Sequence, residues 1–243
     1  MEQMWIEGIA FLVVAFLYAS VGHGGASGYL ALMALLNMSP LVMKPTALIL
    51  NLIVSLVSFL SFYKARHFKS AMLWPLVVTS IPAAYLGSII PVSEPLYKKI
   101  LAIVLLIAVI RMLLKPPSAD KISTPKWYWL SLAGAVIGLL SGMIGMGGGI
   151  LLSPLLLMMG WANMQQTAAI SAIFIFLNSA SGMLGQLKKG FDLAPSMFII
   201  IAFVLVGGWL GAYMGSSRFK TTELKFILAL VLVLAVSKLL FVN

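Results

Sequence analysis

The sequence predicts an all-α polytopic membrane protein made of two homologous halves. About eight main transmembrane helices and two glycine-broken half-helices are expected. Three observations carry this. Of the 243 residues, 62% are hydrophobic and only 9% charged, with a mean hydropathy of +1.09. A soluble domain needs far more charge to cover its surface. The apolar residues come in blocks long enough to cross a bilayer, separated by charged clusters. The second half also repeats motifs of the first in the same order.

The main apolar segments cover about 4–21, 45–63, 71–91, 97–114, 127–144, 166–186, 193–215 and 222–241. The first carries two acids and no base at its start, so it reads as a mature helix and not a cleaved leader. Two shorter stretches, about 26–36 and 149–160, are each long enough for half a hydrocarbon core. Net charge is +10, and the Lys and Arg residues lie between the blocks. They therefore report topology, with the bilayer and not nucleic acid as the basic partner. With no cysteine, disulfides and thiolate metal sites are excluded, and no cofactor or metal is expected.

The repeat aligns Gly22-His23-Gly24-Gly25 with Gly145-Met146-Gly147-Gly148, Thr46-Ala47 with Thr167-Ala168, and Leu86-Gly87 with Leu210-Gly211. Arg111 falls on Lys238. The expected division is 1–114 for the first repeat, 115–126 for a Pro-containing linker, and 127–243 for the second. Charge does not decide the topology. Parallel or inverted halves each put about ten of the 16 bases on one side. Inverted repeats are common in secondary transporters, and on that analogy they are favoured here.

The glycine clusters, Ser20 to Gly28 and Gly142 to Gly149, are the most informative segments. Each follows a full apolar helix and opens a short one. Glycine disfavours continuous helix by about 1 kcal/mol relative to alanine and permits positive φ. A break leaves unpaired N–H groups at the start of the next helix, and these suit an anion. Interrupted segments at matching places in two halves point to a transport site. The alternative is glycine serving close helix packing.

The candidate binding residues are therefore Gly22, His23, Gly24, Gly25, Gly145, Gly147, Gly148 and Gly149. Lys44, Thr46, Gln165, Gln166 and Thr167 stand near them in sequence. Lys44 could offer charge to an anion or snorkel to the interface. Asn51, Ser55, Ser171, Asn178 and Ser179 lie inside apolar helices, either lining a path or tying helices together. The acids Glu2, Glu7, Glu94, Asp120, Asp192 and Glu223 all fall near segment ends or in loops. Cation carriers usually keep an acid mid-span, so they are disfavoured, and His23 is the one obvious interior titrating group. An intramembrane enzyme lacks the clustered Ser/His, Asp pair or metal ligands it would need.

Gly145-Met-Gly-Gly-Gly-Ile-Leu-Leu-Ser-Pro154, then Ala169-Ile-Ser-Ala-Ile-Phe-Ile-Phe-Leu-Asn-Ser-Ala-Ser-Gly182, resembles the TauE/SafE (sulfite exporter) family of membrane transporters. Lys44-Pro-Thr-Ala-Leu-Ile-Leu-Asn51 fits the same family, and the likeness spans nearly the whole chain. The first glycine motif departs from the family pattern, reading Gly-His-Gly-Gly-Ala-Ser-Gly without the later proline. The resemblance implies a bacterial inner-membrane transporter for sulfite, organosulfonates or related sulfur oxyanions. Its expected partners are a small anion and the lipid bilayer, with a homo-oligomer left open. The alternative reading is a gated anion channel.

Overall fold

The computed structural model describes residues 2–20, 24–68, 70–113, 123, 125–190, 196–217, 232–233 and 236–240. All regular structure among them is helical. In chain order the helices are α1 (Glu2–Ser20), α2 (Ala26–Leu35), α3 (Pro40–Lys64), α4 (Ser70–Ile89), α5 (Glu94–Leu113), α6 (Trp127–Ile144), α7 (Gly149–Met158), α8 (Met164–Lys189) and α9 (Ser196–Ser217). The apolar segment expected at 222–241 lies largely outside the described residues; its described parts are helical.

Five of these helices, α3, α4, α6, α8 and most of α9, are long and apolar enough to cross a membrane. Their outer faces carry exposed Val78, Leu132, Val136, Phe198 and Trp209. In water such a surface would aggregate, whereas in lipid it is the correct solvent. Trp5, Trp74, Trp127 and Trp129 are likewise exposed, near helix ends except for Trp74, which stands one turn into α4. The chain is a multi-pass membrane protein.

Helix α3 begins earlier than the apolar block suggests. Proline is tolerated in a first turn, where its missing N–H has no intrahelical partner anyway. Pro40 opens the helix and Pro45 follows inside it, which draws Lys44 into the helix.

Two short helices fold back on their predecessors. Gly28 of α2 abuts Val14 and Tyr18 of α1, and the Tyr29 ring stacks on Phe11 at 5.9 Å. Leu152 and Leu156 of α7 share an apolar cluster with Leu130 and Ile137 of α6.

The long helices pack in register that fixes their directions. On α6, Gly134 meets Leu76 of α4, Gly138 meets Ser80, and Gly142 meets Ala84, so α4 and α6 run the same way. Gly207 of α9 meets Leu12 of α1 and Gly211 meets Phe16, so that pair is parallel too. At the centre, α3 and α8 run in opposite directions. Leu48 lies against Gly182, Asn51 against Ser179, and Phe62 clusters with Ala168.

Candidate functional site

Both glycine clusters become sharp breaks. Gly25 precedes α2 with φ 92°, and Gly148 precedes α7 with φ 83°, both left-handed. L-residues with a Cβ adopt that region at a penalty of about 1–2 kcal/mol, so glycine is required here for conformation. Gly145 and Gly147 are left-handed as well. Neither cap residue has a side chain to satisfy the first-turn amides of its helix.

The breaks converge. A small cleft, with room for about one water molecule, is lined by Gly24 to Ser27 on one side and by Met146, Gly149 and Ile150 on the other. Tyr18, Asn51 and Ile175 complete the wall. Asn51 of α3 bridges the two breaks. Its Nδ2 donates to the Met146 carbonyl at 2.9 Å, and its Oδ1 lies 2.7 Å from where a Cβ on Gly24 would stand. Ile175 of α8 approaches both Gly24 and Gly147 at 2.9 Å by the same measure. Ser27 Oγ is 2.8 Å from the Tyr18 hydroxyl. Asn51 Oδ1 and the Tyr29 hydroxyl, the latter against Gly25, are buried without a hydrogen-bond partner.

Of the residues singled out in sequence, Gly24, Gly25, Asn51 and Gly149 line this cavity, and Gly147 abuts it through Asn51. Gly148 turns toward Ile137 and Phe174. Gly22 and His23 lie outside the described residues. Lys44 is buried, not snorkelling: its Nζ sits 4.7 Å over the Tyr97 ring, and its backbone abuts Gly145. Tyr97 in turn donates to the Ile144 carbonyl at 3.0 Å.

Thr46 in the second turn of α3 and Thr167 in the first turn of α8 are buried, away from the cavity lining. Gln166 forms a capping box with Asn163, which occupies its side chain at the start of α8, and Gln165 is exposed. Ser171 accepts from Ser153 at 2.8 Å, and Asn178 donates to the Phe174 carbonyl. Gly142, counted with the second break in sequence, is helical and packs against α4.

Tyr18, Ser27, Met146, Ile150 and Ile175 also line the cavity, and sequence alone does not single them out. Helical periodicity could have found Tyr18, since a break that reverses the chain must lay α2 along the last turns of α1.

Residues 8–239 match the family model described as Sulfite exporter TauE/SafE. The chain belongs to that family. It is 37% identical over 238 residues to the protein named Probable membrane transporter protein y4hK of Sinorhizobium fredii, covering 96% of each chain. It is 24% identical over 250 residues to Probable membrane transporter protein YjnA of Bacillus subtilis, covering 94% of this chain and 96% of that one. No solved structure matches it. This TauE/SafE chain is therefore a membrane transporter, and the paired glycine breaks are its candidate substrate site.

Proposed function

We propose that this chain is a secondary transporter that carries a small oxyanion across a bacterial cytoplasmic membrane. Sulfite, an organosulfonate or another sulfur oxyanion is the expected substrate class. The observation that carries this reading is that the uncapped first turns of α2 and α7 line one cavity. Two helix N-termini place partial positive charge and free N–H groups around a single point. In this state the space between the two breaks holds about one water molecule, so admitting an anion requires them to part, as alternating access would allow. Lys44, buried near the second break, adds positive charge.

The reading includes two inverted halves, 1–114 and 127–243, joined by a linker at 115–126. Exchanging α1 with α6, α2 with α7, α3 with α8 and α4 with α9 maps the packed pairs onto one another. The α1–α9 contact becomes α6–α4, α3–α9 becomes α8–α4, and α2–α3 becomes α7–α8; all are present. The antiparallel course of α3 and α8 supports inversion over simple duplication. The pseudo-twofold axis would then lie in the membrane plane, where rocking of one half against the other gives alternating access. The side holding Lys64 and Arg66 would be cytoplasmic.

The test is flux of labelled sulfite into proteoliposomes. Uptake should saturate and be accelerated by sulfite loaded inside. Unsaturated flux without trans-stimulation favours the gated channel; absence of flux for every sulfur oxyanion and small carboxylate tried would reject the anion-carrier reading.

A further inference from the structure

We infer that Asn51 makes the site selective for an oxyanion that keeps one proton of its own, a hydrogen oxyanion such as hydrogen sulfite. This rests on the anion site proposed above.

The orientation of the Asn51 amide is fixed by its partner. A carbonyl oxygen can only accept, so the amide must turn its nitrogen toward Met146. Its oxygen is then left facing Gly24 at the cavity wall, fully buried and without a donor. Donors stand elsewhere on the cavity wall. The amides of Ala26, Ser27, Gly149 and Ile150 stand at uncapped helix starts. The Tyr18–Ser27 hydroxyl pair has two protons and shares one bond, so one proton remains to offer.

One acceptor among several donors is a recognisable pattern. A fully ionised dianion, or a sulfonate, presents only acceptor oxygens and would press one of them against Asn51 Oδ1. A hydrogen oxyanion gives its proton to Oδ1 and its other oxygens to the amides. Sites built to pair a ligand's hydrogen-bonding group reject analogues that lack it, because the protein's own group is then left unpaired.

Among the described residues, the titratable groups facing Asn51 from neighbouring helices are Tyr18 of α1 and Tyr29 of α2. Both are phenols, which hold their protons well past neutrality. Lys44 lies two turns earlier on α3, beside Tyr97 of α5. The segments of α6, α7, α8 and α9 nearest the cavity carry no ionisable side chain.

The experiment uses the whole protein in proteoliposomes with labelled sulfite and, as competitor, methanesulfonate. That competitor is a monoanion of similar size with no exchangeable proton. At about pH 6, where sulfite is mostly monoprotonated, methanesulfonate should bind more weakly by about tenfold or more. Between about pH 5.5 and about pH 8.5, KM for total sulfite should rise with the loss of hydrogen sulfite, approaching about tenfold per pH unit.

In Asn51→Val the sulfite preference should collapse to within about threefold of methanesulfonate. A merely structural role for Asn51 would weaken both anions equally. Equal competition by methanesulfonate in the unaltered protein, or a KM flat across pH, overturns this inference while leaving the transporter reading intact. Loss of all oxyanion flux at every pH would overturn both.

Discussion

Helix α6 and its continuation carry glycines of two kinds within one short stretch of sequence. Gly134, Gly138 and Gly142 recur every four residues and are ordinary helical residues whose missing Cβ lets the α4 backbone approach. Gly145, Gly147 and Gly148 lie just beyond and have positive φ. The first kind serves contact, as small residues do wherever helices meet in lipid. The second serves conformation, allowing the chain to stop one helix and start another. Composition cannot tell them apart: sequence alone groups Gly142 with the break, although it belongs to the packing stripe.

The contrast is broken most forcefully at the stripe. Leucine at Gly138 would drive its side chain into the backbone of α4 at Ser80, which cannot yield as a flexible side chain can. We expect Gly138→Leu to lose more than about 3 kcal/mol, beyond the usual range for overpacking. The melting temperature in detergent should fall by roughly 10 °C, and transport should fail only as the folded fraction does. Unchanged melting would show that α4 and α6 do not pack as described.

At the break the pattern should reverse. Alanine at Gly148 meets a left-handed φ, with Ile137 Cγ2 at 2.8 Å and Phe174 Cε1 at 3.0 Å from the new Cβ. Strain of about 1–2 kcal/mol should reorient the first turn of α7 more than unfold the protein. Gly148→Ala should cut sulfite flux per folded molecule by about tenfold, with a melting shift of only a few degrees. The bulkier Gly148→Leu should abolish uptake while the protein still inserts. Normal flux with a large melting loss would place Gly148 with the stripe.

Most helices were legible because lipid demands long apolar runs. The predicted 127–144 segment matches α6, and both half-helices stand within a residue or two of α2 and α7. The convergence of the breaks was legible only as an expectation, from their matching positions. The wall of the cavity was not. Asn51 reads in sequence as one polar residue among several in apolar helices. Its position between Gly24 and Met146 depends on the pairing of α3 with α8, which leaves no local trace. Gln165 and Gln166 stand apart from the cavity for a local reason: they open α8, where Gln166 completes a capping box with Asn163 and Gln165 is exposed.

Lys44 separates charge from packing at the second break. It is buried over Tyr97, and no carboxylate pairs with it among the described residues. Burying such a cation is unfavourable unless a partner compensates. Lys44→Met should therefore leave melting unchanged or raise it, while KM for sulfite rises about tenfold through loss of attraction to the anion. A lower melting temperature with unaltered KM would make Lys44 a structural support of α6.

The smallest effect belongs to the hydroxyl that ties α5 to the end of α6. Tyr97→Phe removes the bond to the Ile144 carbonyl and keeps the aromatic face beneath Lys44. One neutral hydrogen bond is worth about 1 kcal/mol, so melting should drop by roughly 3 °C. Flux should change by no more than about twofold, since the glycine torsions that aim the α7 amides are untouched. If flux instead collapses, the placement of the α6 end governs the site, and the division between packing and conformational glycines moves to Ile144.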